Sequence, residues 1–126
     1  MKSIELYPEL EGLRKLDEFL QKELNIDNQD VRLVAEELFV NITNYSKCSY
    51  IVAFVKLEDD ILTMEFIDDG IEFNPTSTDS PELPDNIEDA EIGGLGIHLV
   101  KNLVDEMHYE YKDNENHLTI IKNVKT

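Results

Sequence analysis

The sequence predicts an α+β fold, a two-layer sandwich in which three helices cover one face of a mixed, mostly antiparallel sheet. Three observations support this class. Apolar residues recur at helical spacing in three segments, and five short segments have the apolar alternation or composition of strands. The chain has 126 residues, which suits one domain spanning residues 1–126 and is too short for two ordinary ones.

The first half of the chain supplies one strand and two helices. Residues 2–7 alternate polar and apolar side chains, which predicts a short strand. Pro8 then opens an amphipathic pattern that runs to about residue 24 and predicts the first helix. Polar residues 25–28 predict a loop, and a second helix follows from about Gln29 to Ser46.

The second half supplies four strands and one helix around a long irregular segment. That segment runs from Asp69 to about Ile92 and holds three of the four prolines. A loop of this length is usually functional, often a lid. The other predicted elements are a strand at 49–57, a turn at 58–60, a strand at 61–68, a helix at 97–106, a strand at 107–112, a turn at 113–116 and a strand at 117–124.

The charge balance excludes two classes of partner. Lys and Arg total 11 and Asp and Glu total 28, so the net charge is −17. Nucleic acid and anionic membranes would be repelled, whereas a basic protein would be attracted. Cys48 is the only cysteine, which excludes an intrachain disulfide and fits a reducing compartment. With no apolar run of signal-peptide or bilayer-spanning length, we expect a cytoplasmic protein.

A polar stripe runs along the second predicted helix. At about 100° per residue, Glu37, Asn41 and Asn44 fall within a narrow arc that apolar residues border on both sides. Polar groups at the edge of a core need partners or a ligand. Taken alone, the stripe is compatible with a half-exposed polar strip. It is also compatible with a carboxylate base beside an amide oxygen that ligates Mg²⁺.

Two glycine-containing elements flank the irregular segment. Asp68, Asp69 and Gly70 directly follow a strand, where a carboxylate can accept a hydrogen bond from an exocyclic amine such as that of adenine. An ordinary Asp-Gly turn would have the same residues. Residues 93–96, GGLG, run straight into a helix whose free N–H groups can bind phosphate. These glycines by themselves are equally compatible with a flexible hinge before that helix.

The combination of these elements resembles a known superfamily. A Glu-x-x-x-Asn helix, a strand-end Asp-x-Gly, a long loop and a Gly-x-Gly helix start have the order and spacing of the N, G1 and G2 boxes of the GHKL ATPases. The strings EELFVNITNYS, IDDGIEFNP, IGGLGIHLVKNLVDE and ENHLTIIK are similar to anti-sigma-factor serine/threonine kinases related to RsbW. The resemblance covers roughly residues 28–124. It implies the Bergerat fold of histidine-kinase-like ATPases, with ATP and Mg²⁺ as cofactors.

The resemblance assigns roles to the helix stripe. Glu37 matches the family's base, which activates the attacking hydroxyl. Asn41 matches the ligand of the Mg²⁺ that bridges the phosphates, and Asn44 is in reach of the same cluster. The implied chemistry is phosphoryl transfer, in which positioning and charge neutralisation do most of the catalysis.

The resemblance also assigns the nucleotide contacts. Asp68 matches the carboxylate that hydrogen-bonds the adenine amino group, and Gly70 is the glycine of that box. A strand threonine near the C-terminus assists adenine binding in the superfamily, and Thr119 is the candidate here. The residues whose backbone would cradle the phosphates are Gly94, Leu95 and Gly96.

Three features depart from the family pattern. Glu72 stands where the G1 box has a second glycine, and Tyr45 stands where relatives commonly carry His or Lys. No Lys or Arg occurs from Asp69 to Ile97, although relatives often carry an arginine near the position of Ala90. Neutralising the γ-phosphate would therefore fall to Mg²⁺, the helix N-terminus and Lys101.

The resemblance predicts an anti-sigma-type protein serine/threonine kinase. Such a kinase phosphorylates an anti-anti-sigma (STAS-domain) partner and holds a sigma factor or another regulator, and a homodimer is left open. The cation-free loop keeps a second interpretation open, a non-catalytic nucleotide-gated protein-binding module. A third is a stand-alone histidine-kinase-like ATPase domain, although we expect no dimerisation helix before Met1.

Overall fold

Residues 2–24, 28–77 and 95–125 are described by the computed structural model. Within them the chain forms five β-strands, three α-helices and one short 3₁₀ turn. The elements are β1 (Lys2–Leu6), α1 (Leu10–Leu24), α2 (Gln29–Tyr45), β2 (Ile51–Glu58), β3 (Ile61–Asp68), the 3₁₀ turn (Pro75–Ser77), α3 (Leu95–Leu103), β4 (Glu106–Lys112) and β5 (Glu115–Asn123).

The strands form one sheet in the order β1-β2-β3-β5-β4. All four pairings among the described strands are antiparallel, which refines the expectation of a mixed, mostly antiparallel sheet. Helix α2 packs against α1 and α3, and the helices contribute to a core that lies against one face of the sheet. The α+β two-layer class predicted from the sequence is confirmed.

Two hairpins have turns of only two residues. Asp59 and Asp60 join β2 to β3 with φ of 53° and 64°, and Asp113 and Asn114 join β4 to β5 with φ of 54° and 62°. Asp and Asn tolerate this left-handed backbone, and such turns match the twist of the paired strands. The second turn is shorter than the predicted 113–116. Asn116 therefore belongs to β5 and not to the turn.

The alternation of β3 determines which side chains reach the core. Leu62, Met64 and Phe66 are buried on the helix-covered face, while the intervening residues are partly exposed on the other face. Asp68 continues the buried row and is only 2% exposed. Because Asp68 is in phase with these apolar residues, its carboxylate lies at the edge of the core.

The helix boundaries follow from local hydrogen bonds. Asn28 caps α2, because its Oδ1 accepts the Val31 N–H at 3.0 Å. The third helix ends at Leu103 and not near residue 106 as predicted, because the Asp105 N–H already donates to the Ile121 carbonyl of β5 at 2.9 Å. Among the described helices, none is long and apolar enough to cross a membrane.

Candidate nucleotide-binding site

The Asp68 carboxylate is held from one side only. Its Oδ1 accepts hydrogen bonds from the Gly70 N–H at 2.9 Å and from Asn116 Nδ2 at 3.0 Å. Among the described residues, Oδ2 has no partner in hydrogen-bonding geometry. A ligand amine that approaches Asp68 therefore meets an available acceptor.

The surroundings of Asp68 change its pKa and include the hydroxyl group of Ser46. Burial raises the pKa of Asp68 above the ordinary aspartate value, and the hydrogen bonds from Asn116 and Gly70 offset only part of this effect. Ser46 lies close enough to lower that pKa. The buried Ser46 Oγ nevertheless has no partner in hydrogen-bonding geometry among the described residues, so it too can serve a ligand.

Gly70 allows the chain to turn tightly after β3. A Cβ at this position would overlap the backbone carbonyl of Ser46, the C-cap residue of α2. The same carbonyl accepts the Ile71 N–H at 2.7 Å. The strand-end turn and the C-terminus of α2 are thereby fixed to each other by backbone atoms, which no side-chain rotation can relieve.

The neighbouring acid has a different role. Asp69 Oδ1 accepts the N–H groups of Ser49 and Tyr50 at 2.7 and 3.1 Å, just before β2 begins. Burial acts in the opposite direction, but these N–H groups lower the pKa of Asp69 overall. Asp69 therefore anchors the turn, while Asp68 faces the core.

The three polar residues of the stripe on α2 differ in how deeply they are buried. Asn41 is 3% exposed, and among the described residues its Oδ1 has no hydrogen-bond partner. Glu37 is half-buried one helical turn earlier. Asn44 is exposed and lines a groove between α1 and α2 beside Leu10 and Val40, so the structure does not bring it into the same cluster.

The start of α3 faces Glu37. A Cβ on Gly96 would overlap Glu37 Oε2 and lie 3.3 Å from Cδ, so a side chain here would displace the Glu37 carboxylate from the start of α3. The carboxylate thus sits at a helix N-terminus, where the free N–H groups and the dipole favour anions. Leu95 begins α3, while Gly94 and Ala90 lie outside the described residues.

Thr119 is not part of this cluster. It pairs with Glu65 across β3 and β5, and its Oγ1 donates to Glu65 Oε2 at 3.3 Å. Asp68 pairs with Asn116, three residues along β5 from Thr119, and residues an odd number apart point to opposite faces. The structure therefore corrects the expected adenine contact by placing Thr119 on the face away from Asp68.

Asn116 is the residue that sequence reasoning missed. It is 3% exposed, and besides its bond to Asp68 its Nδ2 donates to the Ile71 carbonyl at 2.8 Å. Its Oδ1 accepts the Phe73 N–H at 3.0 Å and the Tyr109 hydroxyl. Alternation with the buried Leu118 could have indicated its position, but only once the preceding turn was known to be two residues long.

Two further contacts fix the chain that follows the Asp-Gly turn. The rings of Tyr45 and Phe73 stack with their centroids 5.3 Å apart and their planes 22° apart, which joins the end of α2 to this chain. Lys101 Nζ donates to the Thr76 carbonyl at 3.1 Å and joins α3 to the 3₁₀ turn. Lys101, which the resemblance led us to expect near the phosphates, therefore already donates to a backbone carbonyl.

These groups define a class of site: a buried carboxylate at a strand end, an amide oxygen and a carboxylate on one helix, and the N-terminus of another helix. The chain matches the family model of the histidine kinase-like ATPase domain over residues 13–122. It belongs to that family. Membership in an ATPase family implies that ATP is the nucleotide.

One curated relative and one solved structure add detail. The chain is 32% identical over 59 residues to the serine/threonine-protein kinase BtrW of Bordetella bronchiseptica. That match covers 47% of this chain and only 42% of BtrW. The histidine kinase AdeS of Acinetobacter baumannii superimposes with a TM-score of 0.53 at 12% identity, over 100% of this chain and 69% of that chain. This second likeness shows the fold alone.

Proposed function

We propose that the protein is an anti-sigma-type kinase that transfers the γ-phosphoryl group of ATP to a serine or threonine of a STAS-domain partner. The observation that carries the proposal is the buried Asn41 Oδ1, without a partner among the described residues, one helical turn from the Glu37 carboxylate. A buried amide oxygen with no partner is costly unless a ligand completes it. Oxygen ligands are those that Mg²⁺ prefers.

The residues present fit an ATP–Mg²⁺ complex at three points. Asp68 has an acceptor for the adenine amine, and Asn41 has an oxygen for the metal. Gly96 places the start of α3 against Glu37, and the N–H groups of that helix start can bind phosphate oxygens. When bound, Mg²⁺ would supply charge neutralisation at the phosphates.

Glu37 acts as the base in this proposal. The partner's hydroxyl oxygen forms a bond to the γ-phosphorus as its proton passes to the Glu37 carboxylate. The bond between the γ-phosphorus and the bridging oxygen breaks, and ADP leaves with that electron pair. A positioned general base contributes about 10²–10⁴-fold to the rate. The similarity to BtrW, a serine/threonine-protein kinase, supports this reaction type over the matched part of that relative.

A second function, a nucleotide-gated protein-binding module without transfer, is favoured by one observation. No Lys or Arg occurs from Asp69 to Ile97, and the nearest following lysine, Lys101, donates to a backbone carbonyl. Phosphoryl transfer often relies on a cation near the γ-phosphate, supplied in cis or by a partner. Binding without transfer needs no such cation.

Phosphotransfer to a co-purified protein distinguishes the two functions. The chain is purified from its native cell with and without ATP, and the proteins that co-elute are incubated with γ-labelled ATP. We expect acid-stable label on a serine or threonine of a STAS-domain protein. Glu37→Gln should bind ATP as wild type does and transfer no label. ATP-dependent co-elution without any label would support the binding module, and acid-labile phosphohistidine would support a histidine-kinase-like activity.

A further inference from the structure

We infer that Asn116 is a positioning residue that supports the adenine selectivity of the site by donating a hydrogen bond to the buried Asp68 carboxylate, so that the oxygen facing the ligand remains an acceptor. The inference rests on the proposed function, because it concerns how ATP would be recognised. Asn116 would not touch the nucleotide. It would act through the carboxylate, to which its Nδ2 donates at 3.0 Å.

The orientation of the Asn116 amide follows from its partners. Its Oδ1 accepts the Phe73 N–H, which can only donate, at 3.0 Å. Its Nδ2 donates to the Ile71 carbonyl, which can only accept, at 2.8 Å. A flipped amide would lose both bonds, so the remaining N–H must point at Asp68.

Tyr109 holds the amide from the neighbouring strand. Its hydroxyl donates to Asn116 Oδ1 and accepts the Phe73 N–H at 3.2 Å. Asn116 is 3% exposed, so these bonds are shielded from water. Buried networks in which every member is satisfied hold their side chains in one arrangement.

This arrangement favours the ionised form of Asp68, in which both carboxylate oxygens can only accept hydrogen bonds. With Asn116 and the Gly70 N–H both on Oδ1, the described residues leave Oδ2 as an acceptor. An acceptor suits the 6-amino group of adenine and opposes the 6-oxo group of hypoxanthine or guanine. Without the Asn116 donor the buried carboxyl would protonate more readily, and a protonated carboxyl can donate to a 6-oxo group.

The test compares the affinities of ATP and inosine triphosphate, both with Mg²⁺, by calorimetry. Wild type should prefer ATP by at least about tenfold. Asn116→Leu keeps a similar volume and removes the donor, so the preference should fall toward one. Asn102→Ala, at an exposed position of α3, should keep the wild-type ratio. A structural role alone would weaken both nucleotides equally and leave the ratio unchanged, which would overturn the inference.

A milder pair of variants covers the case in which Asn116→Leu does not fold. Tyr109→Phe removes one hydroxyl from the amide, and we expect the ATP preference to fall roughly threefold. Tyr111→Phe, two residues along the same strand, is the matched control and should keep the wild-type ratio. Equal ratios for the two tyrosine variants would overturn the inference. Wild type that binds ATP without preference would also overturn it, whereas wild type that binds no ATP would refute the proposed function itself.

Discussion

The Cα of Gly96, in the first turn of α3, faces the carboxylate of Glu37 on α2 with no room for a methyl group between them. Gly96→Ala should therefore displace the carboxylate while the fold persists, because the overlapping atom ends a flexible side chain. Alanine is about 1 kcal/mol better than glycine within a helix, so the melting temperature should not fall. A misplaced catalytic group can cost about 10²-fold.

The measurement pairs thermal unfolding with the initial rate of phosphotransfer. His98→Ala, at an exposed position of the same helix, serves as the control and should change neither quantity. A Gly96→Ala protein that transfers phosphate at the wild-type rate would show that the contact between Gly96 and Glu37 has no catalytic consequence.

Gly70→Ala, unlike Gly96→Ala, should lower the stability of the protein. Its Cβ would overlap the Ser46 carbonyl, a backbone atom that also accepts the Ile71 N–H, so the neighbour cannot simply rotate away. Overpacking of this kind costs about 1–3 kcal/mol. Urea unfolding should show that loss of stability, and an unfolding free energy equal to that of wild type would contradict the close approach of the two segments.

Thr119→Val tests a predicted site residue that the structure places outside the cluster. Thr119 contacts Glu65 on the face of the sheet opposite to Asp68. We expect the ATP affinity measured by calorimetry to be unchanged. A loss of affinity comparable to that of Asp68→Asn would restore the expectation that came from the resemblance.

Much of the site could be predicted because its spacing is local. The 3.6-residue period places Glu37 and Asn41 on one side of α2, and the end of an apolar strand pattern locates Asp68. These relations lie within single elements. They do not depend on how the elements pair.

The errors at Asn116 and Thr119 concern relations between elements. Asn116 and Thr119 lie on one strand, and their faces depend on parity, which the length of the preceding turn determines. The two-residue turn at Asp113 and Asn114 brings Asn116 opposite Asp68. A turn longer by one residue would reverse both faces, so composition and local pattern could not decide between them.

The stability of the protein should rise slightly when one acid between α1 and α2 is neutralised. Burial raises the pKa of Glu36, and the nearby Asp17 acts in the same direction. Among the described residues, the buried Asp17 Oδ1 has no hydrogen-bond partner. A carboxyl whose folded pKa is raised costs stability when ionised, and the cost disappears as the pH falls through that pKa.

Glu36→Gln should therefore stabilise the protein at pH 7 by roughly 0.5 kcal/mol, a modest value because Glu36 is partly exposed. The gain should shrink as the pH is lowered and the wild-type carboxyl becomes protonated. Urea unfolding of both proteins at pH 7 and at pH 5 measures it. A gain that is the same at both values would show that the charge of Glu36 is not its source.

The most direct test of nucleotide recognition is the effect of Asp68→Asn on the choice of purine, measured by calorimetry with Mg²⁺. The Gly70 N–H and Asn116 Nδ2 both require an oxygen, so the new amide should keep its oxygen there and turn its NH₂ toward the ligand. Wild type should prefer ATP to inosine triphosphate. The variant should lose about 1–3 kcal/mol of ATP binding and bind inosine triphosphate at least as well as ATP. An unchanged ratio of the two affinities would contradict the assignment of Asp68 to the adenine amine.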